Sequence, residues 1–188
     1  PFVNLFFNSI FNFSSSDFSI MGSGTAVLVF FSSLMVPTLK YKYGYWMTIV
    51  FVQGLSICCL ITLAITELFS TSHYAIYFAV SAFILRQPLM HMAHPSSNEL
   101  MMNYVGKRNQ ELISALSSSL WSASWFISAK IFEWLRLLKF HYYEIFLITA
   151  VLYICGVILY AVIIRQFEKM KKMEKLSLIH ISEPTRQL

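Results

Sequence analysis

Five side chains in the middle of this chain could do chemistry where apolar residues are otherwise expected: Arg86, Gln87, His91, His94 and Asn98. Arg86 stands alone as a charge within Tyr74–Pro95. In a membrane span such a charge costs about 2.5–3.5 kcal/mol on insertion scales, so it must face a protein interior or an aqueous cavity. There it can contact an anionic or polar substrate, join a gating ion pair, or make a structural hydrogen bond to a neighbouring helix. Gln87, His91, His94 and Asn98 follow one another at spacings of four, three and four residues, which puts them on one helix face. A polar stripe of that kind lines a cavity or glues two helices. Two histidines without a nearby cysteine or carboxylate do not complete a metal-ligand set, so no metal is expected. Pro88 and Pro95 lie in the same helix, and each removes a backbone donor. They mark either a hinge or a static bend.

A second group follows. Trp121 and Trp125 are one helical turn apart, on a face shared with Ser117 and Ser128. Their rings either stack on a substrate or pack against neighbours and lipid. Ser114, Ser118 and Ser122 recur every four residues, a spacing that favours close helix approach. Gly22 with Ala26, and Gln53 with Gly54, suggest the same. No nucleophile, base and acid are arranged for catalysis, and no phosphate-binding loop is present. Glu67, Glu99, Glu111, Glu133 and Glu144 all fall near the ends of apolar runs. Cys58, Cys59 and Cys155 lie inside apolar runs without metal-ligand spacing, as small hydrophobes. The sequence therefore points away from an enzyme and calls for no cofactor.

The elements that hold these residues are spans. Of 188 residues 57% are hydrophobic and 12% charged, against about a quarter charged in soluble domains. Crossing a bilayer takes about 20 apolar residues. The distribution predicts an all-α, polytopic transmembrane helical bundle, with spans at 19–39, 45–66, 73–97, 112–132 and 143–164. Residues 1–13 are uncharged but short, and read as the end of a further helix whose start is missing. Short connections are expected at 14–18, 40–44, 67–73, 98–111 and 132–142, and a basic tail at 165–175. Alternate loops face opposite sides. One side collects nine basic residues (Lys40, Lys42, Lys107, Arg108, Arg165, Lys169, Lys171, Lys172 and Lys175) and the other three (Lys130, Arg136 and Lys139). Basic loops stay cytoplasmic, which places the C-terminus in the cytoplasm. Tyr41, Tyr43, Tyr45 and Trp46 flank one interface, and Trp134, Tyr142 and Tyr143 the other. The pI of about 9.2 is thus orientation charge, and no nucleic-acid partner is needed to explain it. The partners implied are the lipid bilayer and a small molecule.

The string Leu176–Arg186 resembles the translation of a transposase adapter used in sequencing libraries. Residues 176–188 are therefore set aside as a probable artefact, and His180, Glu183 and Arg186 are not read as a site.

Three places carry a family resemblance. Pro37-Thr38-Leu39-Lys40-Tyr41-Lys42-Tyr43-Gly44 resembles the short cytoplasmic turn between helices eight and nine of major facilitator superfamily transporters, with Tyr41 where an acidic residue is usual. Arg86 with Leu89-Met90-His91-Met92-Ala93-His94-Pro95 is similar to helix ten of bacterial members. Gly106-Lys107-Arg108 followed by Ser117–Trp125 looks like the next turn and helix eleven. The resemblance covers nearly all of 1–175. It implies the C-terminal half of a secondary transporter, of the efflux type, in a bacterial cytoplasmic (inner) membrane. A missing N-terminal six-helix half would complete a midplane substrate site with alternating access. Arg86, Gln87, Met90, His91, His94, Trp121 and Trp125 would line the cavity. Lys42, Gly44, Lys107 and Arg108 would sit at the cytoplasmic gate. The chain alone, lacking half the cavity wall, would not transport. A membrane-embedded enzyme using His91 and His94, and a structural subunit of a membrane complex, are the alternatives.

Overall fold

Uncharged runs broken by few helix-stopping residues give long helices. The computed structural model describes residues 2–182, and the end of the adapter-like string, 183–186, lies outside the described residues. In chain order the elements are α1 (Phe2–Phe11), α2 (Ser15–Tyr45), a π-helical segment (Trp46–Phe51), α3 (Val52–Leu68), α4 (Ala75–Val105), a 3₁₀ turn (Lys107–Asn109), α5 (Gln110–Leu137) and α6 (Tyr142–Ser182). The fold is all-helical; no strand occurs among the described residues.

The helices run past the expected span limits, and capping explains where α2 and α6 start. Ser14–Phe18, expected as a turn, is instead the start of α2. The Ser14 hydroxyl accepts from the Asp17 N–H (3.2 Å), while the Asp17 carboxylate accepts from the Ser14 N–H (3.0 Å). This reciprocal box satisfies otherwise orphaned donors. At α6 the Glu144 carboxylate accepts from the His141 N–H (2.7 Å), and the Glu67 carboxylate accepts from the Tyr143 N–H. The expected connections at 40–44 and 98–111 shrink to two glycines. Gly44 (φ 73°, ψ −172°) breaks the helical path after Tyr43, and Gly106 (φ 81°, ψ 165°) ends α4. Both conformations are strained for residues with a Cβ. The tail at 165–175 continues α6 without a break, and α4 runs as one helix through Pro88 and Pro95.

Packing gathers the helices at two levels. A large core joins α1, α3, α4 and the α5–α6 turn, with Phe6, Phe7, Leu60, Leu63, Phe83 and Phe146 buried. Phe6 and Phe7 meet Phe146 and Phe83 edge to face, with centroids at 5.2 and 5.9 Å, a favoured aromatic geometry. A smaller cluster of Ile49, Leu100 and Ile164 closes the end that holds Gly44 and Gly106. Two helical stretches, Ser15–Leu68 and Tyr142–Met173, are long and apolar enough to cross a membrane, and in the second only 11% of the apolar window is buried.

The small residues of α4, among them Ala79, Ala82 and Ala93, are buried against neighbouring helices, but those of the other expected motifs are not. Gly22 and Gly54 have open space where a Cβ would be, and Ser114, Ser118 and Ser122 are exposed. Indeed, every α5 residue from Glu111 to Ile131 is exposed except Ile113 and Ser117, which are half-buried. Helix α5 is anchored at its ends, by Phe132 and Leu135 in the main core and by Gly106, and between them it meets α4 through Trp121, whose ring contacts His94.

Candidate functional site

The polar residues of α4 separate onto two sides of the helix. Arg86 turns inward and is 8% exposed. Its guanidinium lies over the Tyr153 ring of α6, 5.8 Å from the centroid, and its Nε has no hydrogen-bond partner. Ser96, further along α4, also keeps a buried hydroxyl without a partner. A π face partly offsets a cation, but a buried donor left unpaired is destabilising.

Gln87, His91, His94 and Asn98 lie about a quarter turn away. His91 and His94 are exposed, whereas Gln87, Met90 and Asn98 are half-buried. Asn98 Nδ2 is 3.4 Å from His94 Nδ1. The His94 ring meets Trp121 of α5 edge to face at 5.0 Å, and Trp121 meets Trp125 likewise at 6.2 Å. Both tryptophans remain about half exposed, at 52% and 51%. Beside them Ser124 and Ser128 donate to the carbonyls of Trp121 and Trp125 (2.7 and 3.1 Å), so these hydroxyls are used within α5. The structure thus brings His94, Trp121 and Trp125 together in a fork between α4 and α5, with His91 at its side and Arg86 outside it. The fork offers flat π faces, an imidazole and an amide, groups suited to holding a planar or polar organic molecule. Among the described residues no group of three metal-ligating side chains exists.

The residues expected at the gate fall at one end. Lys42 is exposed, 5.2 Å from the Tyr43 ring centroid. Gly44 is the α2 break, and Lys107 and Arg108 are exposed on the 3₁₀ turn. Sequence reasoning missed the polar clasp that closes this end. Lys40 Nζ donates to Glu99 (2.5 Å), the Tyr45 hydroxyl donates to the other Glu99 oxygen (3.1 Å), and Asn103 Nδ2 donates to the Tyr45 hydroxyl (3.0 Å). The bond from Lys40 holds the Glu99 carboxyl below the ordinary carboxylate range. These partners lie 54 to 59 residues apart in sequence, so no local spacing signals them.

Two surface pockets lie elsewhere: one of about 330 Å³ at Thr62, Thr66, Ser72 and Tyr74, and an open one of about 500 Å³ at Phe132, Arg136 and Tyr142. Neither touches the fork, and both are shallow hollows between helix ends. The fork is favoured on chemistry, because it gathers aromatic, imidazole and amide groups in one place. No protein-family model, curated protein or solved structure matches the chain.

Proposed function

We propose that this chain is an integral membrane protein that forms half of a small-molecule transporter. In this reading it is a bundle of five full spans plus the end of a sixth, corresponding to the second half of a major facilitator superfamily fold. It works by alternating access in a bacterial cytoplasmic membrane, with its C-terminus cytoplasmic and substrate moved outward. A first six-helix half supplies the facing wall of the cavity. The observation that carries the proposal is the α4–α5 fork, in which His94, Trp121 and Trp125 meet on an uncovered face of an apolar helical bundle. Uncovered aromatic and polar groups on helices of this kind are what a cavity between two bundles requires. The exposed apolar flank of α6, including Leu152 (66%) and Leu159 (64%), supports hydrocarbon as the surroundings.

The test is ligand binding read by intrinsic tryptophan fluorescence on purified protein, against a panel of small polar and anionic organic molecules. A member of the panel should quench or shift the emission, and Trp121→Phe with Trp125→Phe should remove that response. A response unchanged by those substitutions would refute the fork as the site.

A second reading applies to Arg86. Its packing over Tyr153 favours a role as interhelical glue over one as a substrate contact. Transport by the full-length protein that survives Arg86→Leu supports the glue.

A further inference from the structure

The cations of this chain are distributed unevenly between the two ends of the bundle, and so are their partners. At the end formed by Gly44, Gly106 and the outer part of α6, the exposed cations among the described residues are Lys42, Lys107, Arg108, Arg165, Lys169, Lys171 and Lys172. Lys40 is tied to Glu99, and the carboxylates nearest in sequence to the basic turn and to the basic stretch of α6 are Glu111, Glu168 and Glu174. At the opposite end Lys139 is exposed, but Lys130 and Arg136 are engaged. Lys130 pairs with Glu133 (2.8 Å), and Arg136 donates to the Phe140 carbonyl (2.8 Å) while lying over the Tyr142 ring (4.3 Å).

The basic stretch of α6 is held in place where it leaves the bundle. Arg165 lies over the Trp46 ring at 5.4 Å. The Tyr104 hydroxyl donates to Gln166 (3.4 Å), and Phe167 meets Tyr45 at 6.0 Å. Beyond this anchor, Lys169 and Lys172 follow Arg165 at four and seven residues, on the same helix face. Met170 and Met173 emerge on another side, 41% and 63% exposed. At 1.5 Å per residue the three cations extend over about 10 Å. They form an open row beside exposed apolar side chains, not an enclosed anion pocket.

We propose that this end binds the headgroups of anionic phospholipids, with Arg165, Lys169 and Lys172 as the contact face. A row of cations adjoining methionines and the Trp46 ring suits a phosphate with acyl chains attached. Basic clusters next to a span attract anionic leaflets in this way. The proposal rests on the membrane reading of the chain.

The test uses the full chain, first recovered from membranes that have been washed with alkaline carbonate. In detergent it is titrated with phosphatidylglycerol and with phosphatidylcholine, and bound lipid is counted by native mass spectrometry. Phosphatidylglycerol should bind more tightly. Substituting Arg165, Lys169 and Lys172 with Gln should weaken it about fivefold per cation, roughly a hundredfold together. Lys130→Gln with Lys139→Gln, at the opposite end, should change nothing. Equal affinity for the two lipids, or a triple variant that keeps the preference, would overturn the proposal. Displacement of the lipid by equimolar inorganic phosphate would overturn the assignment to a lipid source. Recovery of the protein in the carbonate wash, before any lipid is added, would instead defeat the membrane reading on which the proposal depends.

Discussion

The inner face of α4 and its fork with α5 use similar residues to opposite ends. On the inner face, Ala79, Ala82, Phe83, Arg86 and Ala93 are buried against neighbouring helices, and even the charge is packed under an aromatic ring. In the fork, Trp121 and Trp125 stay about half uncovered, His91 and His94 are exposed, and α5 leaves Ser114, Ser118 and Ser122 open. Packing therefore holds up one side of α4, while the other side has side chains free to meet something that is not part of this chain. Stability and binding should then respond to different substitutions.

The sharpest separation comes from charge. Arg86→Asp puts a carboxylate into the buried α4–α6 contact without a cation beside it. It should cost about 3 kcal/mol or more, read as a lowered Tm in detergent. His94→Asp in the fork should stay within about 0.5 kcal/mol of the parent protein. Equal losses for the two would erase the distinction.

Backbone strain gives the next effect. Gly44→Val leaves room for the side chain but forces a β-branched residue to φ 73°. A loss of about 1–3 kcal/mol is expected, measured by thermal unfolding, and Gly24→Val, on a helix surface with open space and ordinary φ, should lose less.

The clasp at the same end gives a smaller, pH-dependent term. The Glu99 carboxyl sits below its ordinary range because Lys40 donates to it. Its contribution is therefore complete above the unfolded carboxyl pKa and disappears as pH falls through the lowered folded value. Glu99 is 44% exposed in its side chain, so solvent screening keeps the term below about 1 kcal/mol. The acid-side drop of a Tm-against-pH curve should be smaller in Glu99→Gln than in the parent protein. The smallest effect belongs to the fork itself: Trp121→Ala should shift stability by no more than about 0.5 kcal/mol. A loss of several times that size would make the fork structural.

Much of this arrangement could be read from the sequence, for physical reasons. Uncharged runs marked each long helix, since helices must satisfy their own backbone wherever they leave water. The separation of Arg86 from His94 also follows from position. At 3.6 residues per turn, Gln87, His91, His94 and Asn98 cluster within a narrow arc that Arg86 does not share. The boundaries were less legible. Ser14 looks like a loop residue until Asp17 completes the cap, and Gly106 compresses an expected fourteen-residue connection (98–111) into a tight turn because α4 continues to Val105. The Lys40–Glu99–Tyr45–Asn103 clasp was not legible at all, because it depends on which helix ends meet. The serine spacing of α5 suggested close packing, yet Ser114, Ser118 and Ser122 are exposed. Spacing shows that a helix can be approached closely, not what approaches it.

The account depends most on hydrocarbon surrounding the flank of α6, and Cys155 reports on that directly. It is exposed, on an apolar helix, and free. A membrane-impermeant maleimide does not enter hydrocarbon, so it should leave Cys155 unlabelled in intact membranes, in a variant retaining it as the one cysteine, and label it fully after denaturing detergent is added. Rapid labelling of Cys155 without detergent would show water at that flank and contradict the account.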